Sequence, residues 1–327
     1  MCTTHILTRT TLSLSFSNEL LFMARQPNRA LRHAFRIGAG ATFATVILIA
    51  TGCALAGSSL TPIAPPPAQL GAESVVFSSA SGSLIHAWMS RGRIGGGAVL
   101  LLHGVGSNRG SMLGRAQFLH NAGFTVLAPD FQAHGESPGE HVTFGARESL
   151  DAAAAMAYLR DAVPGERVGV IGVSMGGAAT LLGPGPLSAN AFVLESVYPT
   201  IREAVSDRLA TWFGPFSGIG RWFTSAVIGM VGSEIGVSEA ELQPITRIGR
   251  IGAPLFLLSG TDDHYTPLAE AESLYAHAPA KKSFWAVVGA GHEDLHDYGR
   301  VEYERRVGDF LARCLRAGTA TSPNAGC

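Results

Sequence analysis

The chain is poor in charged residues and has no excess of either sign. Of its 327 residues only 15% are Asp, Glu, Lys or Arg, and the formal net charge is -1. Domains that bind nucleic acid carry a basic patch or stripe, and the body of this chain has no block of like charges. We therefore expect no nucleic-acid partner. The 46% hydrophobic content instead supplies one large globular core, or at most two domains.

Cysteine is also scarce, with four residues in the chain. None belongs to a CxxC pair or a Cys/His cluster, so the sequence predicts neither a metal site nor a cofactor. Cys314 and Cys327 close a short loop near the end of the chain. In an oxidising periplasm two arrangements remain open for them, a Cys314–Cys327 disulfide and an unpaired tail.

Charge is missing altogether from the segment 37–57, "IGAGATFATVILIATGCALAG", which follows four arginines. A basic flank before an apolar segment indicates an export signal or a membrane anchor. Its "ATGC" resembles the lipobox of bacterial lipoproteins, with Ala50 where that family has Leu, Val or Ile and Cys53 as the lipidated residue. The alternatives are a retained transmembrane helix and a signal peptide cleaved after "ALA". Met23 is a candidate translation start, because the residues before it do not resemble a signal peptide.

Three further segments follow this leader, which spans residues 1–53. Residues 54–73 are rich in Pro and small polar residues and predict an extended tether, so that the protein is held at the bacterial envelope facing the periplasm. Residues 74–317 alternate apolar runs with helical patterns, which predicts an α/β fold with a mostly parallel, doubly wound sheet. Residues 318–327 form a tail.

The alternation of apolar, strand-like runs with helical patterns stops over about residues 199–250. We interpret this stretch as a small helical cap over the sheet. It carries five aromatic residues that either line an acyl pocket or pack the cap onto the sheet, and packing is favoured because aromatics at helix spacing are mostly core. They are Trp212, Phe213, Phe216, Trp222 and Phe223. Charged residues of the cap such as Arg202 and Asp207 are expected on a solvated helix face.

One serine lies among glycines between an apolar strand and a helix. In "GVSMG", Gly172, Ser174 and Gly176 match the G-x-S-x-G pattern of a nucleophile elbow. Such a turn holds a serine in a strained conformation, and the glycines let strand and helix pass close to it. By itself the G-x-S-x-G pattern is weak evidence for a catalytic serine, because glycine-rich strand ends often contain serine.

A serine nucleophile needs a histidine base and a carboxylate, and both follow in the chain. Asp263 comes after the apolar run "PLFLLSG", and His292 comes after the run "WAVVG". The ends of parallel strands meet at one edge of a sheet, so the three side chains are expected to converge there. Taken singly, Asp262 and Asp263 also suit a turn, and His292 suits a surface position.

Together these motifs resemble the α/β-hydrolase fold superfamily over about residues 74–315. "LLHGVGSNRG" is similar to its His-Gly-x-Gly loop, "APDFQAHGES" to its Asp-x-x-x-x-Gly-x-Ser region, and "GTDDHYTP" to its acid turn. The acid turn favours Asp263 over Asp262. Among the branches of this superfamily, the chain most resembles the serine hydrolases that include esterases, monoacylglycerol lipases and S33-type serine peptidases.

The resemblance implies an acyl-enzyme formed on Ser174 from a small-molecule ester, thioester or amide, with His292 as base and Asp263 as its partner. The oxyanion donors would be the backbone N–H groups of Val105 and Met175. Three further members of these loops are expected to be structural. They are His103, Gly104 and His134.

Two other classes compete with this interpretation. Gly104, Gly106 and Gly110 after a strand, with Asp130 after the next, nearly match a dinucleotide-binding fingerprint. The third glycine comes one residue late, and the Ser, Asp and His positions go unexplained. The second alternative is a non-catalytic α/β-hydrolase scaffold, against which the intact triad argues.

Overall fold

The computed structural model describes residues 57–316. The predicted signal with Cys53, the first residues of the tether and the C-terminal tail lie outside this range. Within it, no helix has both the length and the apolar character needed to cross a membrane.

The core is an eight-stranded sheet in the order β10-β9-β8-β7-β4-β5-β3-β2, in which only β3 runs antiparallel to its neighbours. A separate parallel pair joins β1 to β6. The ten strands of the described range are β1 (Ser59–Leu60), β2 (Glu73–Ser78), β3 (Leu84–Ser90), β4 (Ala98–Leu102), β5 (Thr125–Pro129), β6 (His134–Gly135), β7 (Val168–Val173), β8 (Ala191–Glu195), β9 (Leu255–Gly260) and β10 (Lys282–Val287).

Helices connect the parallel strands. The ten α-helices of the described range are α1 (Leu113–Asn121), α2 (Glu148–Ala162), α3 (Met175–Leu181), α4 (Ile201–Phe213), α5 (Ser217–Trp222), α6 (Thr224–Ile235), α7 (Ile245–Ile248), α8 (Leu268–His277), α9 (Leu295–Tyr298) and α10 (Arg300–Leu315). Short 3-10 turns add Ala68–Leu70, Arg109–Met112, Gly214–Phe216 and Glu239–Glu241.

The central strands are buried on both faces, as their continuous apolar runs predict. On one face, alternate residues of the strands pack against α1 and the amphipathic α10. Helices α2 and α3 pack next to β4 and β7. The predicted doubly wound α/β sheet is therefore confirmed.

The order in which successive strands are added to the sheet reverses at β4. Its two neighbours in the sheet are β5, which follows it, and β7, which comes later in the chain. This reversal leaves a crevice at the carboxyl ends of β4 and β7, where open α/β sheets bind their ligands. Ser174 directly follows β7 at that crevice.

The described part of the predicted tether is not a free linker. The Ser59 and Thr61 amides donate to the carbonyls of Ala133 (2.7 Å) and Gly135 (2.8 Å). Leu70 is 1% exposed, and its carbonyl accepts a hydrogen bond from the Ser90 hydroxyl. The ordered domain thus begins before the predicted boundary at residue 74, because β1 pairs with β6 and Leu70, in the following 3-10 turn, is buried in the core.

The cap spans α4 to α7, close to the predicted range. Trp212, Phe216 and Trp222 are 49%, 66% and 79% exposed, so the prediction that the aromatic residues pack into the core was wrong for these three, whereas Phe213 and Phe223 are half-buried. The cap is packed instead through aliphatic side chains of α4 and α6. They are Val205, Leu209, Val227, Ile228, Val231 and Ile235.

The two charged residues of the cap that were predicted to lie on a solvated face differ in their exposure. Arg202 is exposed, as expected, and pairs with Glu239. Asp207 is 9% exposed, and the expectation of a solvated position was wrong for it. Its carboxylate faces Arg221, with 3.6 Å between Oδ1 and Nη2.

Cys314 is buried in α10 and is disulfide-bonded. Its predicted partner, Cys327, lies outside the described residues.

Candidate active site

Ser174 occupies a sharp turn between β7 and α3. Its backbone has φ 50° and ψ -115°, a conformation that residues with a side chain rarely adopt. A Cβ on Gly172 would lie 2.7 Å from the Gly177 backbone, and one on Gly176 would lie 2.3 Å from the Leu102 carbonyl oxygen. The two glycines of the motif are therefore required for space, as the sequence predicted.

Gly104 differs from these two glycines. A Cβ there would lie 3.6 Å from the Ser174 Cβ, an ordinary van der Waals contact. Crowding therefore does not explain why residue 104 is a glycine. Its carbonyl instead accepts a hydrogen bond from His103 Nδ1 at 2.8 Å.

The structure brings Asp263 and His292 together, although 29 residues separate them, with 2.8 Å between Oδ2 and Nδ1. Asp263 is 3% exposed and also accepts hydrogen bonds from the backbone amides of Tyr265 and Thr266 and from the Thr266 hydroxyl. Burial acts to raise its pKa, but the hydrogen bonds and charge of His292 and the Thr266 bonds outweigh burial and hold the pKa below its ordinary value. Asp263 is thus an anion that orients His292.

Asp262 points elsewhere. It is exposed, and its carboxylate accepts a hydrogen bond from the neighbouring Thr261 hydroxyl. Of the two adjacent acids, only Asp263 reaches the histidine.

Ser174 and His292 line one cavity of about 190 Å³, which we call the apolar cavity. Val105 and Met175 also line it. Met175 is the first residue of α3, so its N–H has no partner four residues earlier within the helix and is free to point at a ligand. Both residues nominated as oxyanion donors therefore lie beside the serine.

His103 and His134 hold the loops around this cavity. His103 Nε2 accepts from the Phe131 amide at 3.1 Å, and His134 Nε2 accepts from the Gly106 amide at 3.2 Å. Burial and the nearby His134 lower the pKa of His103 to about 3, so it is neutral at working pH. Each ring thus carries its proton on Nδ1, which donates to a backbone carbonyl. The loop bonds expected of both residues are present.

Asp130 cannot serve as the ribose ligand of a dinucleotide site. It is fully buried and forms an ion pair with Arg109, whose own amide also donates to it at 2.7 Å. The Glu136 amide donates to its other oxygen. Because these partners occupy both carboxylate oxygens, the dinucleotide alternative loses the acid it requires.

A buried ionic cluster behind the site was missed from the sequence. Arg115 is 1% exposed and binds Glu195 through Nη2 at 2.7 Å and Asp294 through Nη1 at 2.8 Å. The Glu195 carbonyl accepts the amide of Ser174, and Asp294 follows His292 by two residues. Tyr303 also donates to Glu195. The one available signal was a Glu ending the apolar strand "AFVLE".

A mostly parallel sheet, a serine in a positive-φ turn after its central strand and an Asp–His pair near that serine together define a hydrolase of the α/β-hydrolase fold. The chain belongs to the alpha/beta hydrolase family, whose model matches residues 99–305.

Solved structures and curated relatives are similar over most of the chain. The esterase Pf2001 of Pyrococcus furiosus is 26% identical with a TM-score of 0.62, covering 78% of this chain and 98% of that one. The uncharacterized protein YqkD of Bacillus subtilis is 24% identical over 65% of this chain and 70% of its own length. The acylaminoacyl peptidase of Pyrococcus horikoshii, 18% identical with a TM-score of 0.57, covers 75% of this chain and 42% of its own and shares the fold.

Proposed function

We propose that the protein is a serine hydrolase that cleaves carboxylic esters through an acyl-enzyme on Ser174. His292 takes the proton of the serine hydroxyl as the oxygen attacks the carbonyl carbon, and Asp263 stabilises the imidazolium that forms. His292 then gives this proton to the leaving alcohol. A water molecule, activated by the same histidine, releases the acid and restores the serine.

The observation that carries the proposal is the convergence of the serine turn and the Asp263–His292 pair on one cavity. The N–H groups of Val105 and Met175 would bind the oxyanion of the tetrahedral intermediate, and one such donor contributes about 3 kcal/mol. Ester chemistry is favoured over peptide chemistry because the more similar of the two solved enzymes is an esterase.

Labelling by a fluorophosphonate probe tests this function, because the probe reacts only with an activated serine. We expect the wild type to be labelled and to hydrolyse p-nitrophenyl esters, and Ser174→Ala to do neither. Ser196→Ala removes another buried hydroxyl nearby and is expected to keep the label. A folded wild-type protein that takes up no label and cleaves no ester would instead be the non-catalytic scaffold.

The size of the apolar cavity predicts a preference for short acyl chains. Its 190 Å³ corresponds to about six water volumes. Ala204 of α4 lines it, so Ala204→Trp is expected to lower kcat/KM at least about tenfold more for hexanoate than for acetate esters, a difference of about 1.4 kcal/mol. Initial rates with esters of graded length measure this ratio.

Trp222→Ala is the matched control, since that side chain is 79% exposed and does not line the cavity. Its acetate-to-hexanoate ratio should equal that of the wild type. If Trp222→Ala changes the ratio more than Ala204→Trp does, the acyl group lies elsewhere.

We also propose that the enzyme is tethered to the bacterial envelope through a lipid on Cys53. The support is the sequence alone: an uncharged segment 37–57 behind four arginines, with the "ATGC" pattern. Metabolic labelling with a fatty-acid probe should mark the wild type and not Cys53→Ala. Equal labelling of both proteins would exclude that attachment.

A further inference from the structure

Arg208 lies at the junction of two cavities that share the candidate catalytic residues. It projects from cap helix α4 and lines the apolar cavity together with Ser174 and His292. It also lines a second cavity of about 330 Å³, the polar cavity, which contains the same serine and histidine. The Arg208 side chain therefore borders the space where a substrate would lie on Ser174.

Within the described range Arg208 has no bonded anionic partner. The carboxylate of Asp263 acts on its charge at longer range, but that carboxylate is already bonded to His292. In residues 57–316 the Arg208 guanidinium takes part in no hydrogen bond and no ion pair, in contrast to Arg202 on the same helix. Its contact is with the face of Tyr265, 4.3 Å from Cζ to the ring centroid, and Tyr265 in turn packs edge-on against the ring of His292. An unpaired arginine this near the reaction centre points to a ligand that brings the missing charge.

Partial burial strengthens this argument. Burial lowers the pKa of Arg208 below its ordinary value, although the group remains protonated at neutral pH. Because burial removes water from the guanidinium without supplying an acceptor, binding an anion there recovers interactions that the free enzyme lacks.

The two cavities offer an anion different surroundings. The polar cavity is also lined by Arg115, whose charge is already paired with Asp294 and Glu195, and by the carboxylate of Glu293, which repels a second negative charge. The apolar cavity is walled by aliphatic and aromatic residues of the cap and loops, and Arg208 is the one permanently charged side chain on its described lining. These wall residues include Val142, Phe144, Ile201 and Val205. A substrate anion is therefore attracted into the apolar cavity.

We propose that Arg208 binds a carboxylate of the substrate, so that the enzyme prefers esters with an anionic group on the part that occupies the apolar cavity. The inference rests on the proposed function and adds a substrate class to it. A planar guanidinium pairs well with a planar carboxylate through two hydrogen bonds.

Matched pairs of esters test this preference and show which part of the substrate carries the charge. Monomethyl adipate and methyl hexanoate differ at the far end of the acyl chain. Sodium 4-acetoxybenzoate and p-tolyl acetate differ on the alcohol side. For one of these pairs, we expect Arg208→Gln to lower kcat/KM of the charged ester by about tenfold or more, mainly through KM. The neutral ester of that pair should change less than about twofold.

Two further variants and a labelling control make the result decisive. Arg208→Lys keeps the charge and should lose less than Arg208→Gln, while Arg202→Gln, on the same helix but paired with Glu239, should behave as the wild type. Fluorophosphonate labelling of each variant shows that its serine is intact. If Arg208→Gln weakens the charged and neutral esters equally in both pairs, Arg208 is a structural residue and the proposal is wrong.

Failure of the proposed function gives a different pattern. In that case the wild type takes up no label and cleaves no ester. Calorimetric titration with adipate then decides on Arg208 by itself: binding to the wild type that is lost in Arg208→Gln supports the carboxylate site, and equal or absent binding overturns it.

Discussion

Replacing Asp263 with Asn is expected to lower kcat for ester hydrolysis by about 10³- to 10⁴-fold. The amide has the size of the carboxylate but no charge, so it neither stabilises the imidazolium of His292 nor keeps the ring proton on Nδ1. The Asn oxygen can still accept the amides of Tyr265 and Thr266 that now bind Oδ1, and the Thr266 hydroxyl can accept from the new NH2 group, so the side chain should stay in place. Steady-state kinetics with p-nitrophenyl acetate measure the loss, and circular dichroism checks the fold.

Asp262→Asn provides the matched control, one residue away. Its side chain is exposed and contacts Thr261 rather than His292, so we expect kcat within about twofold of the wild type. A larger loss in Asp262→Asn than in Asp263→Asn would mean that the wrong acid has been placed in the triad.

Replacing Arg115 with Met is expected to lower the free energy of unfolding by about 3–5 kcal/mol. The change leaves Glu195, which is fully buried, without its cation. It also releases Asp294, two residues after His292, so activity should fall even in the protein that remains folded. Urea denaturation gives the stability, and the labelling rate of Ser174 reports on the site.

Two comparisons separate this effect from general damage. Arg305→Met on α10 breaks an exposed pair with Glu302 and should barely move the denaturation midpoint. The double variant Arg115→Met, Glu195→Met removes both buried charges and should recover part of the lost stability. A loss below about 1 kcal/mol in Arg115→Met would show that the buried carboxylate finds other partners or takes up a proton.

Local signals predicted the sheet and the serine turn. Continuous apolar runs mark strands buried on both faces, and Gly172, Ser174 and Gly176 mark a turn that only small residues allow. Burial on both faces is a property of a single strand, and the serine turn is a property of five adjacent residues. The positions of Asp263 and His292 followed from the general rule that parallel strands end at one edge.

Other features depend on contacts between distant parts of the chain. Arg115 and Glu195 are 80 residues apart, and neither neighbourhood reveals the other. The pairing of Ser59–Leu60 with β6 was likewise hidden, because a Pro-rich sequence has the same composition whether it packs against the domain or extends into solvent.

The sequence alone determined the fold class, the motif and the order of Ser174, Asp263 and His292 along the chain, because strand periodicity and turn chemistry act between near neighbours. Only the tertiary structure showed the contact between Asp263 and His292, the exposure of three aromatic residues of the cap, and the position of Arg208, without a bonded anion, on the lining of the cavity that contains the serine. The physical reason is that burial and charge pairing depend on what packs against a residue, and that partner comes from elsewhere in the chain.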